Sequence, residues 1–126
     1  MENEIKQIKV HHSSSENEEY YFHEGCHILE LLNDNEHEDL SIARARVEPN
    51  KETQLHALRK TIERYIIQQG EGLATINGEE YYVEKNDVLI IEKDQSQKIR
   101  NTGIEDLIFL VICSPRFEET NYQTLD

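Results

Sequence analysis

Short apolar and β-branched runs, broken by polar turns, recur along this chain from Tyr20 onward. They pass through YYFH, CHILELL, LSIARARV, ERYIIQQG, LATI, EYYV, DVLIIE, QKIRN and LIFLVICS. No stretch shows a convincing helical period, and the lengths and turn spacing are those of strands, so the pattern predicts an all-β domain over residues 20–117. The sharpest local signal is Asn77-Gly78 between LATI and EEYYV. That pair suits a two-residue type I′ hairpin, which needs positive φ at both positions. Lys85-Asn86-Asp87 marks the next turn, and Pro49-Asn50 ends one strand and opens a loop. The run Leu107–Ile112 is apolar at every position. It is expected to be either a central strand covered on both faces or part of a subunit interface.

The ends differ from this pattern. Residues 1–19 are polar and are expected to form a mobile arm, since they carry too little apolar surface to offset ordering entropy. Residues 118–126 are polar again and are expected to be a C-terminal tail.

Charge narrows the partners. The formal net charge is −13 over 126 residues. With no basic stripe to neutralise phosphates, neither nucleic acid nor an anionic membrane surface is an expected partner. No apolar run approaches the roughly 20 residues of a spanning helix. The N-terminus MENEIKQIKV lacks the basic-then-apolar order of a signal peptide, so a cytoplasmic location is expected. Cys26 and Cys113 each sit in an apolar strand run. Buried reduced thiols are the expectation, and a reactive pair the alternative.

Two spacings carry the candidate chemistry. The first is Asn50-x5-His56-x-Leu58-x4-Glu63-x6-Gly70, and the second Asn86-x5-Glu92-x-Asp94-x2-Gln97-x3-Asn101. Alternation along strands puts Gln54, His56 and Leu58 on one face, Glu63, Tyr65 and Ile67 on one face, and Gln97, Ile99 and Asn101 on one face. If His56, Glu63 and Gln97 point inward, an apolar cavity with a few convergent polar groups results, the usual composition of a small-molecule site. Arg44 and Arg46 share a face with Ile42, opposite Ala43 and Ala45. Either arginine, if inward, could fork onto a carboxylate or phosphate, and the alternative is a solvated strand face.

These spacings resemble the two motifs of the cupin superfamily, G-x5-H-x-H-x3–4-E-x6-G and G-x5-P-x-G-x2-H-x3-N. Leu58 replaces the second His of the first motif, and Gln97 the His of the second. Asn50, Asn86 and Asp94 stand at glycine positions, where Asn and Asp tolerate positive φ. His56-x-Leu58, Glu63-Arg64-Tyr65, Gln97 and Cys113 through Phe117 together resemble a subgroup of small single-domain cupins described as similar to mannose-6-phosphate isomerase. The resemblance runs from about Glu24 to Phe117. It implies a double-stranded β-helix, a jelly-roll-like barrel that commonly dimerises, so a homodimer is expected.

The resemblance also implies a divalent metal, Mn, Fe, Ni or Zn, held by His56, Glu63 and Gln97. Two strong donors and an amide make a degenerate set. The expected function is therefore a small-molecule-binding protein whose metal site is weakly occupied. Tyr65, Gln54, Arg44 and Arg46 are the candidate ligand-binding residues. The alternative is a metal-dependent isomerase, dioxygenase or lyase acting on a small oxygenated metabolite.

Overall fold

Every strand run expected between residues 20 and 117 is present. The structure, a computed structural model, describes residues 10–12 and 15–125. Residues 1–9, 13 and 14, all within the expected arm, lie outside the described residues, as does Asp126. The chain forms β1 (Tyr20–Phe22), β2 (Cys26–Leu32), β3 (Ser41–Val47), β4 (His56–Leu58), β5 (Ile62–Gln69) and β6 (Glu71–Ile76). It continues through β7 (Glu79–Glu84), β8 (Val88–Ile91), β9 (Ser96–Asn101), β10 (Leu107–Ser114) and β11 (Tyr122–Thr124). One antiparallel sheet has the order β1-β2-β3-β10-β5-β8, the other β11-β4-β9-β6-β7. Their facing sides bury Val47, Ile67, Ile91, Ile99, Leu107 and Phe109. This is the double-stranded β-helix that the motif spacing implied. Among the described residues no helix is long and apolar enough to cross a membrane.

The turns follow from their residues. Asn77 and Gly78 have φ of 49° and 84°, and Ile76 pairs with Glu79 across them, so the type I′ hairpin is formed. Asn50, Asn86 and Asp94 take φ of 66°, 78° and 67°, so the three residues at glycine positions keep the left-handed backbone. Gly70 also has positive φ, 85°, and a Cβ there would lie 2.9 Å from the Asp106 carbonyl oxygen. Asn101 ends β9 by donating to the Val47 and Glu105 carbonyls at 2.9 and 2.8 Å and accepting from the Gly103 amide at 2.8 Å.

Strand β10 is central, hydrogen-bonded to β3 on one side and β5 on the other. Leu107, Phe109 and Cys113 are buried inward, and Ile108, Leu110 and Ile112 take the outer face, where they are partly covered. That outer face continues through Ile42 and Ile66 to Val88 and Ile90, which are 55% and 56% exposed.

Some described residues near each end form regular structure. Tyr122–Thr124, within the stretch expected as a tail, pairs with β4 in the register Tyr122↔Leu58 and Thr124↔His56. Three residues are too few to show a period of two, so this strand has no pattern in the sequence. Glu16–Glu18 form one 3-10 turn, which with Glu19 packs beside β3 through ion pairs to Arg44 and Arg46.

Candidate functional site

The two sheets bring the motif residues together. His56 on β4 pairs with Gln97 on β9, both in one sheet. Glu63 and Tyr65 come from β5 in the other, with Cys113 of β10 beside Glu63. His56, Glu63, Tyr65 and Gln97 are all buried, at 2%, 6%, 4% and 1% exposure. Strand parity therefore placed all four inward.

A chain of hydrogen bonds crosses between the sheets. The Tyr65 hydroxyl donates to Gln97 Oε1 at 2.5 Å, and the Gln97 amide donates to Glu63 Oε1. The Cys113 thiol approaches Glu63 Oε2 at 3.8 Å. His56 stands outside this chain. Its Nδ1–H donates to the Gln54 carbonyl at 2.6 Å, which fixes the ring and leaves Nε2 unprotonated and turned towards Glu24 Oε1, 3.7 Å away. The Tyr122 ring stacks on His56 with centroids 4.9 Å apart and planes 15° apart.

Glu24 was not indicated by the motifs. It sits in the turn between β1 and β2, just before Gly25, whose φ is 104°. Its Oε2 accepts from the Cys26 thiol at 3.3 Å. Burial first, then the negative charge of Glu63, pushes its pKa up to about 8. Glu63 is pushed up to about 7 by burial, against the stabilising bonds from Gln97 and Cys113. Burial lowers the His56 pKa, so the imidazole is held neutral. The thiols of Cys26 and Cys113 are raised by burial, which keeps them protonated and unreactive. Both cysteines are free. A lone acid beside a glycine in YYFHEGCHILELL was the available signal for Glu24, and nothing in the polar C-terminal stretch marked Tyr122.

Beside this cluster lies a cavity of about 60 Å³ that opens to the surface. Phe22, Ile28, Tyr65, Phe109 and Phe117 form much of its wall, and Glu24, Glu30 and Glu63 reach into it. The space exists because Ala43 and Ala45 face inward from β3, where larger side chains would fill it.

The same alternation turns Arg44 and Arg46 outward, so neither enters the cavity. Arg44 is held by both carboxylate oxygens of Glu16 at 3.0 and 2.8 Å. Arg46 bonds Glu19 at 2.7 Å and Asp106 at 3.2 Å. The Arg46 guanidinium holds the Glu19 carboxyl below its usual range. Gln54 also misses the cavity. It precedes β4, where strand parity does not yet apply, and its side chain is exposed while its backbone N–H donates to the Glu24 carbonyl at 2.6 Å.

The donor set does not fit a resident divalent ion. Such ions take three or four strong protein donors. Glu63 Oε1 is committed to the Gln97 amide and Gln97 Oε1 to Tyr65, Glu63 Oε2 has only the Cys113 thiol at 3.8 Å, and the apolar Leu58 occupies the second His position. His56 Nε2 and Glu24 Oε1 face each other at 3.7 Å. Among the described residues no three His, Cys, Asp or Glu side chains form a group that could hold a metal. His23 pairs with Glu119 and His37 with Asp34, and His11 and His12 are exposed.

Comparison with known proteins agrees with the fold. Residues 43–113 match the family described as Cupin domain. An uncharacterized protein of Methanocaldococcus jannaschii is 31% identical over 109 residues, 85% of this chain and 87% of that one. The oxalate-binding protein of Thermotoga maritima is 34% identical over 70 residues, 56% of this chain and 58% of that one. The crystal structure of a predicted oxalate decarboxylase from Thermotoga maritima aligns with a TM-score of 0.67 at 29% identity, covering 71% of this chain and 80% of that one.

Proposed function

Because the chain belongs to the cupin domain family, we propose that it binds a small molecule in the cavity beside Glu24 and Glu63. The observation that carries this reading is the cavity itself. It is an opening in an otherwise packed barrel, walled by aromatic and aliphatic side chains and bordered by an ordered polar chain from Tyr65 through Gln97 to Glu63. The oxalate-binding relative is consistent with a small-molecule ligand as a class. In this reading Tyr65 is a wall of the site and fixes Gln97, and Gln97 fixes the Glu63 carboxylate. Tyr122 covers His56. A metal-dependent reaction, the other reading the motifs left open, would need a third strong donor beside His56 and Glu24, which Leu58 and Gln97 do not supply.

Filling the cavity tests the proposal. A thermal-shift screen of small acids, polyols and amines on wild type should give at least one stabilising ligand. Ala45→Leu should abolish that stabilisation while far-UV circular dichroism stays β-rich. Undiminished stabilisation in Ala45→Leu would place the ligand elsewhere.

The homodimer is part of the same proposal. Its supporting observation is the apolar outer face of β10 and its neighbours, Ile42, Ile66, Val88, Ile90, Leu110 and Ile112. Sedimentation should give about twice the monomer mass at micromolar concentration, and Leu110→Asp should give the monomer. A wild type that stays monomeric at all concentrations would refute the dimer.

A further inference from the structure

We infer that the cavity takes a small organic cation, an alkyl- or arylammonium group, met by the Glu24 and Glu63 carboxylates and seated against the rings of Phe22, Tyr65 and Phe109. This deepens the proposed function and rests on it. Three carboxylates line the cavity, and among the described lining residues there is no Lys, Arg or His. Neither inner carboxylate has a cationic partner. Glu24 touches a thiol, with the neutral imidazole of His56 at 3.7 Å, and Glu63 touches an amide and a thiol. Buried charge without a counter-charge is unfavourable, so a cation entering here would supply what the protein withholds.

The withholding is built into β3. Its two arginines project outward onto Glu16, Glu19 and Asp106, and the uncharged Ser41, Ala43 and Ala45 face the cavity. The walls add a second attraction, because aromatic faces are negative and attract ammonium groups. A dicarboxylate such as oxalate would instead place like charge beside Glu24 and Glu63.

The test varies charge on one skeleton. n-Butylammonium, n-butanol and butyrate, with oxalate as a fourth probe, are titrated into the metal-free full chain at mildly alkaline pH by calorimetry. n-Butylammonium should bind at least about tenfold more tightly than n-butanol, with butyrate and oxalate weakest. Glu24→Gln and Glu63→Gln should each collapse the ratio between n-butylammonium and n-butanol. Butyrate or oxalate binding as tightly as n-butylammonium would overturn the cation and leave the small-molecule site standing. A preference for n-butylammonium that survives in both variants would also overturn it. No binding of any of the four in the millimolar range would overturn both.

Discussion

Replacing Glu24 by Gln should change how stability depends on pH more than it changes stability itself. In the fold the Glu24 carboxyl is pushed up to about 8 by burial and by the charge of Glu63. In the unfolded chain it titrates near the ordinary value of about 4.3. The folded state therefore favours the protonated form. That contribution is fully present below about pH 4.3 and is lost as pH rises through about 8. Each pH unit in which the unfolded chain is ionised and the fold is still protonated costs about 1.4 kcal/mol. From about pH 6 to 9 the Glu24 share comes to roughly 2–3 kcal/mol. Glu63, pushed up to about 7, adds a smaller loss of the same sign. His56, with its pKa lowered by burial, has the opposite slope below about pH 6.5. Glu63 and His56 are present in both proteins, so the difference between them isolates Glu24. Urea denaturation at intervals across this range should show the stability of Glu24→Gln relative to wild type rising with pH. Between about pH 6 and 9 Glu24→Gln should gain roughly 2–3 kcal/mol on wild type. A difference that stays constant with pH would refute the assignment of Glu24 as a buried, uncompensated acid.

Three further outcomes follow from the same geometry. Tyr65→Phe removes the hydroxyl that Gln97 Oε1 accepts from and should cost about 1–3 kcal/mol by chemical denaturation, while an unchanged midpoint would mean the bond contributes nothing net. Tyr122→Ala uncovers His56, so its imidazole pKa, followed by NMR titration, should rise towards the ordinary value, and a further fall would contradict burial as the cause. Leu58→His adds an imidazole on the His56 face, so its Zn affinity by calorimetry should exceed that of wild type by at least tenfold, about 1.4 kcal/mol. Equal affinities would show that position 58 does not face His56.

What was legible in the sequence is what alternation and turn chemistry encode locally. Asn77-Gly78 specified its hairpin, and asparagine or aspartate at three glycine positions preserved the turns because each tolerates positive φ. Parity along β4, β5 and β9 was enough to turn His56, Glu63, Tyr65 and Gln97 inward, because a strand side chain's face is fixed by its neighbour two residues away. Parity could not say which face of β3 is inner. Ala43-Arg44-Ala45-Arg46 has the same period whichever pair is buried, and only packing against β10, with Glu16 and Glu19 waiting outside, resolves it. Nor could it supply partners distant in the chain. Glu24 lies 3.7 Å from His56, and Tyr122 covers His56, because closure of the barrel brings a β1–β2 turn and a C-terminal strand to β4. The motif spacing could name the residues suited to a metal. Whether those residues are free to bind one depends on the hydrogen bonds they make across the two sheets, which exist only once the sheets face each other.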